Sequence, residues 1–600
     1  MLEIITDGEK TDLLPDTQIE LTFEQPMLAD DRIPAPYSFD YELPLTPRNR
    51  RLFGYPDRTA SDRAFEKIPS EIVFSGIVVA RGTQKIDEVT DRLTVSFTGA
   101  VFPNRMRKYL SSLPLGSLGL GSPMPPLSGS DRVRTAQCYT KYNEILSANI
   151  ESFQLPDQPY ACMVAPLEGI KGVEMPESGG AGSYVRQDTV LINAYKNGYL
   201  FADPGAEKTH MSKILPAFRV GWLFDELFGV DLRNNIFNGD FWKRLMLVSR
   251  WHPKYLVEDD APPIDIGLSS GVKYADFLPK IAANDFVAQM LKLACATMFI
   301  RGNSYEIEYN GDVLTRSVDV EDWTGRMIGE PTISHEDGMI YDYGYSGEEG
   351  RYSDEIVPKE VDSISDMFAD ANAGDDVTLR TYRIATTGQL IESLFDDDTS
   401  NRVRFNVVNT LFGKREEPET DGDEQDERST FDMKFNGSPL ANNLRCDIGD
   451  DSTTLGHFSY IPEGDPIGEE RPEDLTVGIY WGLKRSLAIN PSGSVWTPGA
   501  YYPYLSYCNY DAQGNRLGDT TLRFDGADGL LQTRHRAFKE WIERDKRLLT
   551  VQVRLSALDL HRLDLRNKVS IRNRMYLIKT LSVVLTPMRI ETAEAELVEV

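Results

Sequence analysis

The chain has 600 residues, 41% of them hydrophobic and 10% aromatic, and its 64 basic and 93 acidic side chains give a formal net charge of −29. That length exceeds what a single core organises, so about three to five domains are expected. The charge opposes binding to a phosphate backbone, which ordinarily calls for a basic face, whereas an acidic wall would let a polyanion pass without adhering.

Cys138, Cys162, Cys295, Cys446 and Cys508 are widely spaced and odd in number, with no Cys-x-x-Cys pair. This pattern excludes a disulfide framework or a cysteine zinc site and suits a reducing cytosol. Cys295 stands in an apolar run and reads as a small buried residue. The first ten residues have neither a basic n-region nor a long apolar segment, so no signal peptide is expected. No stretch approaches the roughly 18 apolar residues of a membrane span, and no stable membrane insertion is expected.

Residues 17–43 carry two alternating runs, Ile19/Leu21/Phe23 and Phe39/Tyr41/Leu43, separated by Pro26, Pro34 and Pro36. Pro44 and Pro47, close together, predict an ordered loop without helix over 44–56. Strands are predicted at 71–80 and 92–97, where Val, Ile and Phe alternate between polar turns. Residues 111–130 are rich in Gly, Ser and Pro without the spacing of a dinucleotide or phosphate-binding loop, and read as an exposed, mobile loop. Residues 174–183, with Gly179, Gly180 and Gly182, read as a second one.

The period then changes. Val220, Leu223, Phe224, Leu227 and Phe228 form one apolar helix face, closed by Gly229. A second helix is predicted from Asn284 or Asp285, with Phe286, Met290, Leu293 and Ala294 on one side. A hairpin is predicted to follow, with 305–309 and 312–320 as its strands and Asn310-Gly311 as its turn. Residues 414–428 are acidic and nearly devoid of apolar side chains, which predicts a mobile loop. They lack the Gly and terminal Glu spacing of a calcium loop. Residues 462–474 mark another loop or boundary. A helix is predicted near 529–546, capped by Asp528 with Leu531, Phe538, Trp541 and Ile542 inward. Strands at 549–555, 559–565, 568–571 and 575–585 close the chain. The segments 19–100 and 549–597 are therefore expected to be β-sheet in barrel-like domains.

No catalytic constellation emerges, so no catalytic, cofactor-binding or metal-binding residue is assigned and no cofactor is expected. His210, His252, His335, His457, His535 and His561 show no shared ligand spacing. His335-Glu336-Asp337 lacks the second His of a zinc protease. His561-Arg562-Leu563-Asp564 has only a superficial likeness to a kinase catalytic loop. Trp222, Trp251 and Trp323 raise a carbohydrate-binding reading, but Trp222 beside the helical stripe is expected to pack on a neighbouring strand or subunit.

The order of elements resembles the baseplate-hub or tail-tip-hub proteins of tailed bacteriophages and related contractile injection systems, in the version found with Bacteroides-type hosts. Four places carry the resemblance: the 39–55 segment leading to Phe74-Ser75-Gly76, the 220–228 helix with Asn235-Ile236-Phe237, the 284–295 helix with 298–320 and Asp322-Trp323-Thr324, and the closing strands around 567–571 and 574–579. The resemblance implies a mainly β fold with α+β insertions. It further implies tube-type β-barrel domains and a central helix-containing domain, with three copies expected to form a ring of six barrels.

The domains expected are an N-terminal β-barrel domain with long loops at 1–205 and a helix–helix–hairpin α+β domain at 206–330. A second β domain at 331–480 carries the acidic loop. A C-terminal strand region at 481–600 contains the last helix and completes a barrel. The implied role is a non-enzymatic virion component, assembled in the host bacterial cytoplasm. It joins the tail tube to the central spike or tip and forms part of the channel for genome delivery. Implied partners are further copies of the chain, a trimer foremost, tail-tube or distal-tail ring proteins, and a spike, tip or tape-measure protein. DNA would pass through without specific binding. The alternatives are a distal-tail protein, a receptor- or carbohydrate-binding adhesin, and a tail-associated cell-wall hydrolase.

Overall fold

Alternation at the two ends of the chain places one apolar face on each strand, and in the computed structural model those faces build a common core. The structure describes residues 1–29, 37–59, 66–99, 103–118, 159–165, 213–249, 272–301, 304–316, 320–346, 428–448, 475–485, 516–524 and 526–600. It also describes short separate strands between 173 and 201, between 359 and 406, at 453–460 and between 487 and 507, and a few isolated residues.

The N-terminal strands are β1 (Leu2–Thr6), β2 (Ile19–Glu24), β3 (Tyr37–Pro44), β4 (Ile68–Phe74), β5 (Ile77–Val89) and β6 (Arg92–Gly99). In the middle of the chain lie β7 (Tyr160–Ala165), β8 (Lys213–Arg219), β9 (Leu245–Val248), β10 (Ala296–Arg301) and β11 (Ser304–Tyr309), followed by β12 (Met327–Glu336), β13 (Ile340–Tyr345), β14 (Thr430–Phe435), β15 (Leu475–Arg485) and β16 (Tyr501–Ser506). The chain closes with β17 (Lys546–Val553), β18 (Lys568–Ile571), β19 (Arg574–Leu585) and β20 (Ala593–Glu599). The helices are α1 (Pro47–Leu52), α2 (Val220–Phe228), α3 (Ala283–Ala294), α4 (Asn310–Thr315), α5 (Arg536–Glu543) and α6 (Ala557–Arg562).

The largest sheet has 13 strands and runs β1-β4-β5-β6-β3-β2-β19-β20-β17-β12 along its main path, with Glu9–Lys10 beyond β1 and β18 attached to β19. It curls into a half-barrel. The seam between the chain ends is β2 against β19, antiparallel from Ile19↔Leu585 to Glu24↔Thr580. Its core face carries Ile19 and Leu21 from β2, Leu93, Val95 and Phe97 from β6, Leu581 and Val583 from β19, and Ala595 and Leu597 from β20, all with no exposed surface. A one-residue slip in any strand would turn that set to solvent, which is why the alternation specifies the register. The strands approach closely at Gly82, where a Cβ would lie 2.1 Å from the Thr98 carbonyl oxygen.

A second sheet, of 8 strands, includes β16-β15-β9-β8-β7 in that order. Helices α2 and α3 bury Phe224, Leu227, Phe286 and Met290 in the same core as this sheet. A 7-stranded sheet is formed by strands between Lys359 and Ile489. A third apolar cluster joins the half-barrel to the helices. Phe538, Trp541 and Ile542 of α5 pack with Leu548, Leu577 and Val598, on the side of the large sheet away from its main core. The fold is mainly β with helical insertions, as the sequence predicts.

Helix α2 lies where predicted and ends at Gly229, whose φ of 62° is natural for glycine. Helix α3 also lies where predicted, but it ends in Cys295 at φ 48°, a left-handed position held by a non-glycine residue. Five local expectations are corrected. Residues 44–56 include a helix, because Pro47 occupies the first turn, where its fixed φ and missing N–H do no harm, and Thr46 caps it by accepting from the Asn49 amide. Asn310-Gly311 opens helix α4 instead of turning a hairpin. Asn310 is buried, its amide donates to the Cys295 carbonyl, and its side-chain oxygen accepts from Thr297 Oγ1 at 2.6 Å. The hairpin there is β10–β11.

Residues 559–565 fall largely in α6, whose Ser556/Asp559 capping box outweighs the strand-like composition. The predicted last helix begins as a π-helical turn, Leu531–His535, before α5. Asp528 does not cap it; Asp528 pairs with Arg523 at 2.7 Å and accepts from Asn509. Within 111–130, Leu113 and Leu115 are buried in the helical core, so that part is not an exposed loop. Residues 119–130, nearly all of the acidic 414–428 segment and 462–474 lie outside the described residues, as does most of 174–183.

Candidate functional site

The face of the half-barrel opposite its main core carries two polar rows beside the part that α5 covers. Strand pleating puts alternate residues there. Register sets Gln552, Glu594, Ser582 and Thr22 in one row across β17, β20, β19 and β2. The row continues through Tyr37 and Thr98 to Thr83. The adjacent row is Thr332, Thr550, Glu596, Thr580 and Glu24. Thr22 and Ser582 hydroxyls lie 3.2 Å apart, and the Tyr37 hydroxyl donates to Glu24 Oε1 at 3.0 Å, which confirms the shared face.

Neither row contains Lys or Arg. Lys579 sits at an irregularity between Ile578 and Thr580 and pairs with Glu336 at 2.7 Å and Glu596 at 3.6 Å, and beside Thr83 Arg81 pairs with Glu71 at 3.0 Å. At the rim, Arg92 pairs with Glu42, and Lys85 with Asp87 at 3.1 Å. The surface is thus hydroxyl-lined and acidic. Such a surface repels a polyanion within about a Debye length, roughly 8 Å in physiological salt.

One end of the sheet is a free edge. Strand β12 pairs with β17 on one side, and its other side carries no described strand. Ile333 on this edge is 62% exposed although it lies opposite Leu549, a core residue. An edge strand with an exposed Ile and no described partner on one side offers unpaired backbone groups to another chain.

Two polar clusters tie elements together: one joins the half-barrel to the β10–β11 hairpin, the other joins α3, β13 and the π-helical turn before α5. Arg566 is nearly buried; it bonds Asp564 through Nη2 at 2.6 Å, pairs with Glu306 and reaches Glu308 at 3.4 Å. Its hydrogen bonds to Asp564 hold its pKa above the ordinary arginine value, against the opposing effect of burial. Arg316 completes the cluster on Glu308. The second cluster is a buried chain. His535 Nε2 lies 3.2 Å from the Leu293 carbonyl, which can only accept, so Nε2 carries the proton. Nδ1 then accepts from the Tyr341 hydroxyl at 2.7 Å, and Cys295 Sγ lies 3.6 Å from that hydroxyl. Burial pushes the imidazole pKa down to about 4 and the Cys295 thiol up to about 12.

The residues weighed from sequence fall in separate places. Trp222 stacks on Phe218 of β8, as expected of a packing residue. Trp323 is buried and donates to Glu321 at 3.2 Å, while Trp251, His210 and His252 lie outside the described residues. His561 lies on α6 with Nδ1 2.8 Å from the Val78 carbonyl. The cavity beside Trp323, with Asp559, Asp564 and Lys568 in its wall, measures about 20 Å³, room for a single water and too small for a sugar. Sequence reading missed the polar rows. Their signal was present in Glu20-x-Thr22-x-Glu24, Thr580-x-Ser582 and Glu594-x-Glu596, but only pairing aligns them.

No family model and no curated protein matches the chain. Among solved structures it is similar to the 43 kDa tail protein of prophage MuSo2 from Shewanella oneidensis, at 7% identity and TM-score 0.29, covering 100% of this chain and 96% of that one. It is also similar to a tail protein from Neisseria meningitidis MC58, at 8% identity and TM-score 0.27, again covering 100% of this chain and 96% of the other.

Proposed function

We propose that the chain is a structural protein of a bacteriophage tail, the hub at the baseplate or tail tip, which joins the tail tube to the central spike and forms part of the genome channel. The observation that carries this reading is the polar part of the half-barrel face opposite its main core, beside the part that α5 covers. Its central rows are built from hydroxyls and carboxylates without a cation of their own, as a wall that must let DNA slide would be. The order of elements that resembles hub proteins supports the same reading. The free edge at β12 supports closure by neighbouring copies, three in the proposed ring, with the half-barrels side by side. Tail-tube or distal-tail ring proteins would dock on one side and a spike, tip or tape-measure protein on the other. The role is assembly in the virion, not catalysis.

The test is imaging of the purified full chain by negative-stain electron microscopy with mass photometry. A threefold ring with an open centre is expected. A chain that stays monomeric at micromolar concentration and in the virion refutes the proposal. A sixfold ring would favour the distal-tail reading instead.

A further inference from the structure

We propose that the end of β12 carries a divalent-metal site built from His335, Asp337 and Asp545. His335 and Asp337 are two residues apart in extended chain, which turns both side chains to the same side. Strand pairing matches His335 with Arg547 and Glu336 with Lys546, so one step further brings Asp337 opposite Asp545. The ligand atoms of the three residues all lie within 4.8 Å of one another. His335 Nε2 is 3.1 Å from Asp337 Oδ1 and 3.9 Å from Asp545 Oδ2.

Zinc bonds of about 2.0–2.2 Å to nitrogen and carboxylate oxygen require ligand atoms about 3.4 Å apart in a tetrahedron. The two His335 pairs reach that spacing by shifts of about half an ångström or less, and the two carboxylates start within 4.8 Å of one another, all on exposed side chains. Two further features hold the arrangement. The Gly338 amide donates to Asp545 Oδ1 at 2.9 Å, which leaves Oδ2 toward the imidazole. Gly338 itself packs so closely on the end of α5 that a Cβ would lie 2.0 Å from the Glu543 carbonyl oxygen, so the turn cannot drift from the segment that supplies Asp545. Glu336, on the alternate side, is committed to Lys579 and does not compete.

One imidazole and two carboxylates with open positions suit a borderline divalent ion such as Zn²⁺ better than Ca²⁺ or Mg²⁺, which prefer all-oxygen shells. The ion would staple the free edge strand to the start of β17.

Isothermal titration of ZnCl₂ into the full chain tests this, with His335→Ala and Asp545→Asn alongside. The Asp545→Asn change keeps an acceptor for the Gly338 amide and removes only the charge. One ion per chain is expected, with each substitution weakening binding by at least about tenfold, since even loss of an orienting partner costs that much. Melting temperatures without zinc should match wild type in both variants, because all three side chains are exposed. Absence of saturable binding, one ion per two chains, or affinity retained in either variant overturns the proposal.

Discussion

Acidification should loosen the packing of the π-helical turn before α5 on α3 and β13 through one side chain, His535. It is fully buried, and its two nitrogens are satisfied by the Tyr341 hydroxyl and the Leu293 carbonyl only while the ring is neutral. Its pKa is about 4 in the folded chain against an ordinary 6.5. The unfolded chain therefore binds a proton first as pH falls, so the stabilisation is complete above 6.5 and declines as pH drops toward 4. Linkage gives a loss of about 2 kcal/mol by pH 5 and about 3 kcal/mol at pH 4, at about 1.36 kcal/mol per pH unit.

The assay is urea unfolding between pH 7.5 and 5 for wild type and His535→Gln, whose amide donates to Leu293 and accepts from Tyr341 without titrating. Wild type should lose stability across this window. The variant, less stable at pH 7.5 from poorer packing, should stay nearly flat until the carboxylates begin to protonate. If both proteins decline in parallel, the buried imidazole is not the source of the acid sensitivity and the reasoning fails.

Arg566→Ala should destabilise the fold by about 3 kcal/mol, since it strands Asp564, Glu306 and Glu308 in a largely buried cluster; the urea midpoint measures this, and a loss within error would show the cluster is solvated. Gly82→Ala should cost about 2 kcal/mol or more by forcing β5 from β6, read as a lowered melting temperature. Ile333→Lys should leave the monomer folded, with an unchanged circular dichroism spectrum, yet raise the concentration needed for ring formation by about tenfold or more, as expected for exposing one buried Ile at an interface. Sedimentation velocity across a dilution series checks it, and an unaltered assembly curve would remove β12 from the subunit contact.

Some of this protein is written in short stretches of chain. The period of 3.6 at 220–228 and the Gly after it specify α2 by themselves, and alternation in 19–24, 92–97 and 575–585 specifies strands with a single apolar face. Elsewhere a cap or a burial partner outweighs local composition: Thr46 and Ser556 start helices despite Pro47 and the Leu residues spaced through 559–565, and Asn310 gives up its turn to bond Cys295 and Thr297. Pairing over long separations lay beyond any window of sequence. That β2 meets β19, more than 550 residues away, follows from which apolar faces can be buried together, a property of the whole chain. The hydroxyl and carboxylate rows, the His535–Tyr341–Cys295 chain and the His335–Asp337–Asp545 cluster all exist because tertiary structure brings distant segments within a few ångströms, where hydrogen bonds and charges act.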